Sequence, residues 1–99
     1  MNIVLLEEGT PTVFAIEGRL DTNTSPQLEE YVNKLYDSGI QDIVVEMANC
    51  DFVSSAGLRV IVTMQKHAAV KGSLVFRNVV PDVMEVFRMT GFDSILTLE

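Results

Sequence analysis

The residues with the chemistry to be modified, or to contact a partner closely, concentrate in one short stretch, Asp51–Arg59. The stretch precedes a helical pattern, so Ser54 is placed to cap a helix by accepting a hydrogen bond from a first-turn amide. That leaves Ser55 at the first helical position, where its hydroxyl can face solvent. The small residues Ala56 and Gly57 would let another protein's backbone or a nucleotide phosphate approach closely. By composition alone, this is an ordinary capped helix start that exposes one hydroxyl.

Other residue types that often carry catalysis do not form a recognisable set. His67 is the only histidine and Cys50 the only cysteine, and nothing in the sequence brings them together as nucleophilic catalysis requires. Asp42, Glu46 and Asp51 are predicted to be solvated loop or strand-edge charges rather than metal ligands. Neither a phosphate-binding loop nor a dinucleotide glycine pattern is present. We therefore predict that the chain is not an enzyme and has no metal and no cofactor.

Length, composition and charge restrict the class of protein. The 99 residues with 47% hydrophobic content fit one domain, residues 1–99, with a core that needs no disulfide. Seven basic against fourteen acidic side chains give a net charge of −7. This argues against nucleic acid, which needs a basic face, and suits either a basic partner surface or simple solubility. With no leader, no long apolar run and a lone cysteine, we expect a cytoplasmic protein without membrane insertion.

Periodicity and turn residues predict the elements that must position this stretch. Apolar residues at i, i+3, i+4, i+7 and i+8 from Leu28 onward indicate an amphipathic helix, with Ser25 as its cap. Gly18 is expected to end the strand before it. The run Ile43–Val45 is apolar on both faces, as in a central parallel strand. The predicted strands are Ile3–Leu6, Thr12–Glu17, Ile40–Met47 and Ser73–Arg77, and the predicted helices run from Ser25 to Gly39, Ser55 to Lys71 and Pro81 to Gly91.

The order of these elements predicts an α/β fold. The first two strands are expected to pair as a hairpin, and the strand-helix-strand units imply right-handed crossovers in a mixed sheet with about three main helices packed on it. Ile95–Leu98 would close the chain as a short strand or a helical turn. The second helix carries few charges, so we expect it to be more buried than the first. Ala68 and Ala69 are assigned to its apolar face, and four methionines to gaps in the core: Met47, Met64, Met84 and Met89.

Three stretches resemble motifs of one known family. Phe52–Arg59 (FVSSAGLR) is similar to the signature of the STAS family, whose usual form is Asp-Ser-Ser/Ala-Gly-Leu. Gly18–Asp21 (GRLD) resembles the family's Gly-x-Leu-Asp turn before the first helix, and Phe87–Phe92 (FRMTGF) resembles the end of its third helix. The resemblance covers essentially the whole chain with the expected spacing, and it implies the STAS fold, with a function as an anti-sigma factor antagonist.

The resemblance also implies a mechanism and a set of residues. Unphosphorylated family members bind an anti-sigma factor that is also a serine kinase and thereby free the sigma factor. Phosphorylation of the serine matching Ser55 ends the complex, and a serine phosphatase resets the protein. The acidic residue that often precedes this serine is Ser54 here, so Ser54 is the alternative modified residue. The partner-binding residues implied are Asp21, Asn23, Ser54, Ser55, Ala56, Gly57, Leu58 and Arg59.

Two other functions stay open at the level of sequence. STAS domains also occur as parts of anion transporters and as soluble subunits of lipid-transport complexes. A chain that starts at Met1 without a membrane span argues against a transporter tail, but a soluble accessory subunit of a membrane transport complex stays open. A passive nucleotide-binding or ligand-binding module would use the helix start Ser54–Leu58 as a phosphate seat, although no phosphate-loop lysine accompanies it. We expect a monomer or a weak dimer.

Overall fold

The computed structural model describes residues 1–99 as a mixed sheet with three helices. Every predicted helix and strand is present, and one strand was not predicted. In chain order the elements are β1 (Asn2–Glu7), β2 (Thr12–Leu20), α1 (Ser25–Asp37), β3 (Asp42–Glu46), β4 (Cys50–Val53), α2 (Ser55–Lys71), β5 (Ser73–Arg77), α3 (Pro81–Thr90), a 3-10 turn (Phe92–Ser94) and β6 (Thr97–Leu98).

The sheet has the strand order β1-β2-β3-β5-β6, with β4 paired to β2. Strands β1 and β2 form the predicted antiparallel hairpin, and all other pairs are parallel. Strand β3 lies between β2 and β5, so the apolar run Ile43–Val45 does belong to a central parallel strand. The mixed α/β architecture expected from the sequence is therefore confirmed.

All three helices contribute to one hydrophobic core on one face of the sheet. The alternate residues Phe14 and Ile16 of β2 point into this core, together with Val45 of β3 and Phe76 of β5. Val13, which is also buried, lies outside that core because successive side chains of a strand point to opposite faces. The helical residues in the core are Leu28 and Val32 of α1, Leu58, Val60, Ile61, Met64 and Ala68 of α2, and Val83 and Phe87 of α3.

The predicted cap of α1 is wrong by one residue. The N-cap is Thr24, and Ser25 is the first helical residue. The Ser25 amide donates to the Asp21 carbonyl oxygen at 2.8 Å, and its hydroxyl donates to the same oxygen. The turn at Asp21, which periodicity does not reveal, therefore starts the helix one residue earlier. For α2, the predicted bounds and the greater burial are both confirmed.

Other differences concern strand ends and apolar residues. Strand β2 does not end at Gly18 but continues to Leu20, because Gly18 takes a φ of +102° beside an irregularity in the pairing with β4. Met89 is 79% exposed and Ala69 is also exposed, so neither fills the core. Ala69 directly follows the buried Ala68, and Met89 lies two residues after the buried Phe87. The turn of the helix therefore points both side chains away from the sheet. The final segment combines a 3-10 turn with the short strand β6.

Candidate functional site

The pairing of β2 with β4 builds the frame of the candidate site. Leu20, the last residue of β2, pairs in parallel with Val53, the last residue of β4. Asp21 and Ser54 directly follow these two residues, so they leave the sheet side by side. The Ser54 amide donates to the Leu20 carbonyl oxygen at 2.8 Å. The turn that leads into α1 and the start of α2 therefore meet at one edge of the protein.

The two adjacent serines have different environments. Ser54 has an extended backbone, and its Oγ accepts a hydrogen bond from the Gly57 amide at 3.2 Å. Its carbonyl oxygen accepts from the Leu58 amide at 2.8 Å. Ser55 is the first residue of α2, its side chain is exposed, and its hydroxyl makes no hydrogen bond to the protein. The predicted division between a capping hydroxyl and a free hydroxyl thus matches the geometry.

Gly57 is small for a different reason from the one expected. A Cβ atom on Gly57 would lie 2.8 Å from both the Leu20 carbonyl oxygen and Leu20 Cγ. Gly57 is buried, and the space beside it is filled by β2 rather than left open for a partner. Leu58 is also buried, in the common core. The surface at the start of α2 is therefore formed by Ser54, Ser55, Ala56 and Arg59.

Asp21 is held by a compact turn. Its Oδ1 accepts hydrogen bonds from the Asn23 amide at 3.0 Å, the Thr24 amide at 3.1 Å and the Thr24 hydroxyl at 3.2 Å. Nearby protein desolvates the carboxylate and thereby raises its pKa. The bonds from Thr24 and Asn23 and the charge of Arg19 outweigh this effect, so the pKa of Asp21 is lowered. Asp21 is thus a fixed negative charge beside the serines, and Asn23 lies exposed in the same turn.

An aromatic side chain and a cation cover the outside of this edge. The Arg19 guanidinium lies 4.0 Å from the centre of the Phe52 ring and 3.9 Å from Asp21 Oδ2. Phe52 is 37% exposed. The stacked cation and the ion pair fix Arg19 across the paired strands. The sequence does not reveal this role of Arg19 and Phe52, because their contact depends on the pairing of β2 with β4.

A shallow groove adjoins Ser55 on the side of α3. It is an open cavity of about 400 Å³, and Arg59 forms part of its wall one helical turn after Ser55. Arg59 is exposed and its guanidinium makes neither an ion pair nor a side-chain hydrogen bond. The groove therefore has an apolar floor, a free hydroxyl and an uncompensated positive charge. Its lining residues are Ser55, Leu58, Arg59, Val62, Thr90 and Phe92.

The residues set aside at the sequence level lie apart from this edge or inside the protein. His67 Nε2 lies 2.7 Å from Gln41 Oε1, and its ring stacks on Tyr36 at 3.7 Å. Cys50 is fully buried, and this burial raises the pKa of its thiol. No group of three or more His, Cys, Asp or Glu side chains is arranged to hold a metal ion. None of the three helices has the length and apolar character of a membrane span.

The fold and this edge define the class of the protein. The family model of the STAS domain matches residues 2–99, so the chain belongs to the STAS domain family. It is also similar to BtrV of Bordetella bronchiseptica, which is named as a candidate anti-sigma factor antagonist. The two are 34% identical over 84 residues, which is 84% of this chain and 72% of BtrV.

Solved structures share the same fold. The anti-sigma factor antagonist SpoIIAA in its unphosphorylated form superposes with a TM-score of 0.82 at 19% identity, over 99% of this chain and 88% of SpoIIAA. The phosphorylated form of SpoIIAA, a cell fate determinant of Bacillus, gives 0.74 at 18% identity, over 99% and 91% of the two chains. An anti-sigma factor antagonist from Mycobacterium paratuberculosis gives 0.77 at 22% identity, over 98% and 85%. This agreement confirms the STAS fold.

Proposed function

We propose that this protein is an anti-sigma factor antagonist whose binding is controlled by phosphorylation of Ser55. Its partner would be an anti-sigma factor with serine-kinase activity, and a serine phosphatase would restore the unmodified form. The exposed, unbonded hydroxyl of Ser55 at the start of α2 carries this proposal. Family membership, the name of the Bordetella relative and the named functions of the similar structures support it.

Ser55 is preferred over Ser54 because of what each hydroxyl already does. The Ser54 hydroxyl caps α2 through the Gly57 amide, and phosphorylation there would disturb the cap. A phosphate on Ser55 would lie near the first-turn amides of a 17-residue helix, where the helix dipole favours negative charge. The fold would therefore survive modification of Ser55, and the change would fall on the partner.

The proposed contact surface combines the start of α2 with the turn before α1. Ser54, Ala56 and Arg59 flank Ser55 at the start of α2, and Asp21 and Asn23 belong to the turn that meets this helix start through the Leu20–Ser54 hydrogen bond. A phosphate adds about −1.5 to −2 charge beside Asp21, whose lowered pKa keeps it ionised. In the complex, this phosphate would have to be buried against the partner, and a like or unpaired charge across an interface costs several kcal/mol, while each ~1.4 kcal/mol reduces affinity tenfold. A loss of about two to three decades in partner affinity therefore requires no refolding.

The test is the intact mass of the protein after incubation with ATP and each purified anti-sigma factor of the source genome that carries a kinase-type ATPase domain. We expect one phosphate on the parent protein and on Ser54→Ala, and none on Ser55→Ala. A phosphate on Ser55→Ala but not on Ser54→Ala would move the modified site to Ser54.

Binding is tested separately, so that the proposed partner and the proposed phosphorylation can each be contradicted independently of the other. The unmodified protein should bind the same anti-sigma factor, and the phosphorylated protein should bind it about 100- to 1,000-fold more weakly by calorimetry. Binding to none of these factors would contradict the proposal and favour an accessory subunit of a transport complex. Retention of labelled nucleotide by the isolated protein would instead favour the ligand-binding module.

A further inference from the structure

Strand β1 forms one edge of the sheet, and its outer side is unoccupied. Its only neighbour is β2, and no other backbone hydrogen bond reaches residues 2–7. A row of unpaired amide and carbonyl groups of this kind is a template for pairing with another strand. The strand contains neither lysine nor proline, which commonly protect such edges, and its one charged residue is Glu7 at the end.

The side chains of β1 are apolar and unusually exposed. Val4 is 38%, Leu5 45% and Leu6 54% exposed. Val4 pairs with Ala15 and Leu5 with Phe14, so they project to opposite faces of the sheet. The apolar surface therefore wraps around both sides of the free edge, as expected of a strand that continues into another sheet.

We propose that β1 is a self-association edge, on which a second copy of this chain adds its own β1 in antiparallel orientation. A twofold axis perpendicular to the sheet keeps the two faces in register, so only pairings between residues of the same face are allowed. Centring on Val4 places Val4 opposite Val4 of the second copy and Ile3 opposite its Leu5. The irregularity between Leu5 and Glu7 limits the paired stretch to about this length.

The shape of the edge fits this arrangement. Two open cavities follow β1 on the side of α1 and share Tyr31. One, of about 290 Å³, adjoins Ile3 and is otherwise lined by Gln27, Glu30 and Lys34, whose alkyl stems can cover an apolar side chain. The other, of about 220 Å³, adjoins Leu5 and is also lined by Leu35 and Ile40. In the antiparallel register, Leu5 of the second copy lies beside the first cavity, and its Ile3 lies beside the second. Ile3 and Leu5 of each copy would therefore lie beside the two cavities of the other copy.

The charges also permit self-pairing despite the net charge of −7. In this register the two Glu7 residues lie at opposite ends of the paired strands, about six residues or ~20 Å apart. This exceeds the Debye length of about 8 Å at physiological ionic strength. A single six-residue strand covers less than the ~800 Å² per partner of stable complexes, so we expect a dimer that depends on concentration and salt. The register uses none of the residues around Ser55.

The sharpest test is a disulfide across the proposed twofold axis. Opposed residues of antiparallel strands have Cα atoms about 4.5 to 5.5 Å apart, which suits a disulfide. Val4→Cys should therefore form a linked dimer under mild oxidation, whereas the parent should not, because Cys50 is fully buried. The control is Val70→Cys, at a position 81% exposed at the far end of α2. If random collision governed oxidation, the more accessible Val70→Cys would link faster, and that result would overturn the proposal.

A second measurement tests the edge without covalent chemistry. Sedimentation equilibrium over a concentration series should detect a dimer of the parent that is lost in Val4→Lys and kept in Val70→Lys. Both lysines add the same charge, and both replace exposed valines. A difference in dimer content between the two variants therefore reports on the β1 edge alone. A parent that stays monomeric at every concentration, or a dimer that persists in Val4→Lys, would contradict the inference.

Discussion

The Leu20 carbonyl oxygen lies 2.8 Å from the Ser54 amide nitrogen and accepts its hydrogen bond. The same oxygen lies 2.8 Å from the position that a Cβ atom on Gly57 would occupy. One carbonyl group at the end of β2 thus fixes where α2 begins and requires a glycine two residues into the helix. The exposed Ser55 lies between these two contacts, so its place on the surface is set by the sheet.

Gly57→Ala is expected to destabilise the protein by about 1 to 3 kcal/mol, the usual cost of overpacking. In an ordinary helix position, the same change stabilises by up to ~1 kcal/mol. A decrease in the free energy of unfolding would therefore identify the contact with Leu20. Urea unfolding gives the free energy, and Ala56→Gly in the same helical turn is the control for helix propensity alone. A Gly57→Ala variant as stable as the parent would show that Leu20 can move away.

Ser54→Ala and Ser55→Ala are expected to differ in stability. Ser54→Ala removes the cap accepted from the Gly57 amide and should lower the free energy of unfolding by about 1 kcal/mol. Ser55→Ala removes a hydroxyl without a partner and should change it by less than about 0.5 kcal/mol. Thermal and urea unfolding of the pair measure this difference. Equal losses in the two variants would contradict the assignment of Ser54 as the cap.

The lowered pKa of Asp21 predicts a pH dependence of stability. The ionised carboxylate favours the folded state, so its contribution is complete above the unfolded value of about 3.9 and is lost as pH falls through the lower folded value. Asp21→Asn cannot titrate, so its deficit relative to the parent should shrink as the solution is acidified below about pH 3.9. Urea unfolding of both proteins across this range measures the deficit. A deficit that grows on acidification would have the wrong sign.

Arg59 is expected to pair with a phosphate on Ser55, because residues at i and i+4 of a helix face each other and Arg59 has no other ionic partner. Such a pair contributes about 0.2 to 0.5 kcal/mol and should lower the second phosphate pKa by about 0.3. Phosphorus NMR titration of the phosphorylated parent and of Arg59→Gln measures this difference. Lys66→Gln, further along α2, is the control and should leave the pKa unchanged; an equal effect of both substitutions would refute a specific pair.

The helices and central strands could be predicted because their signals are local. The bounds of α2 follow from a capping serine, an apolar period and Gly72, and β3 follows from a run that is apolar on both faces. Gly72 also has a second role that sequence does not reveal: any Cβ there would collide with the Gln41 carbonyl oxygen. The sequence therefore identifies the end of the helix without the packing that enforces it.

Strand β4 could not be predicted because its signal is non-local. Its four residues, Cys50–Val53, alternate too briefly to be distinguished from a loop, and its partner is the part of β2 beyond Gly18. A glycine usually ends a strand, and here it accompanies an irregularity that lets β2 change partner from β3 to β4. The contacts of Arg19 with Phe52 and of Gly57 with Leu20 depend on this switch of partner strand, so they too could not be predicted from the sequence.

The change of partner along β2 joins the hydrophobic core and the edge near Ser55 within one strand. Both halves of β2 contribute to the common core, through Phe14 in the half that pairs with β3 and through Leu20 in the half that pairs with β4. The half that pairs with β4 also positions the proposed contact surface, whose exposed residues can be replaced at little cost to the free energy of unfolding. A change of partner specificity in the proposed contact surface therefore requires no change in the folding unit beneath it.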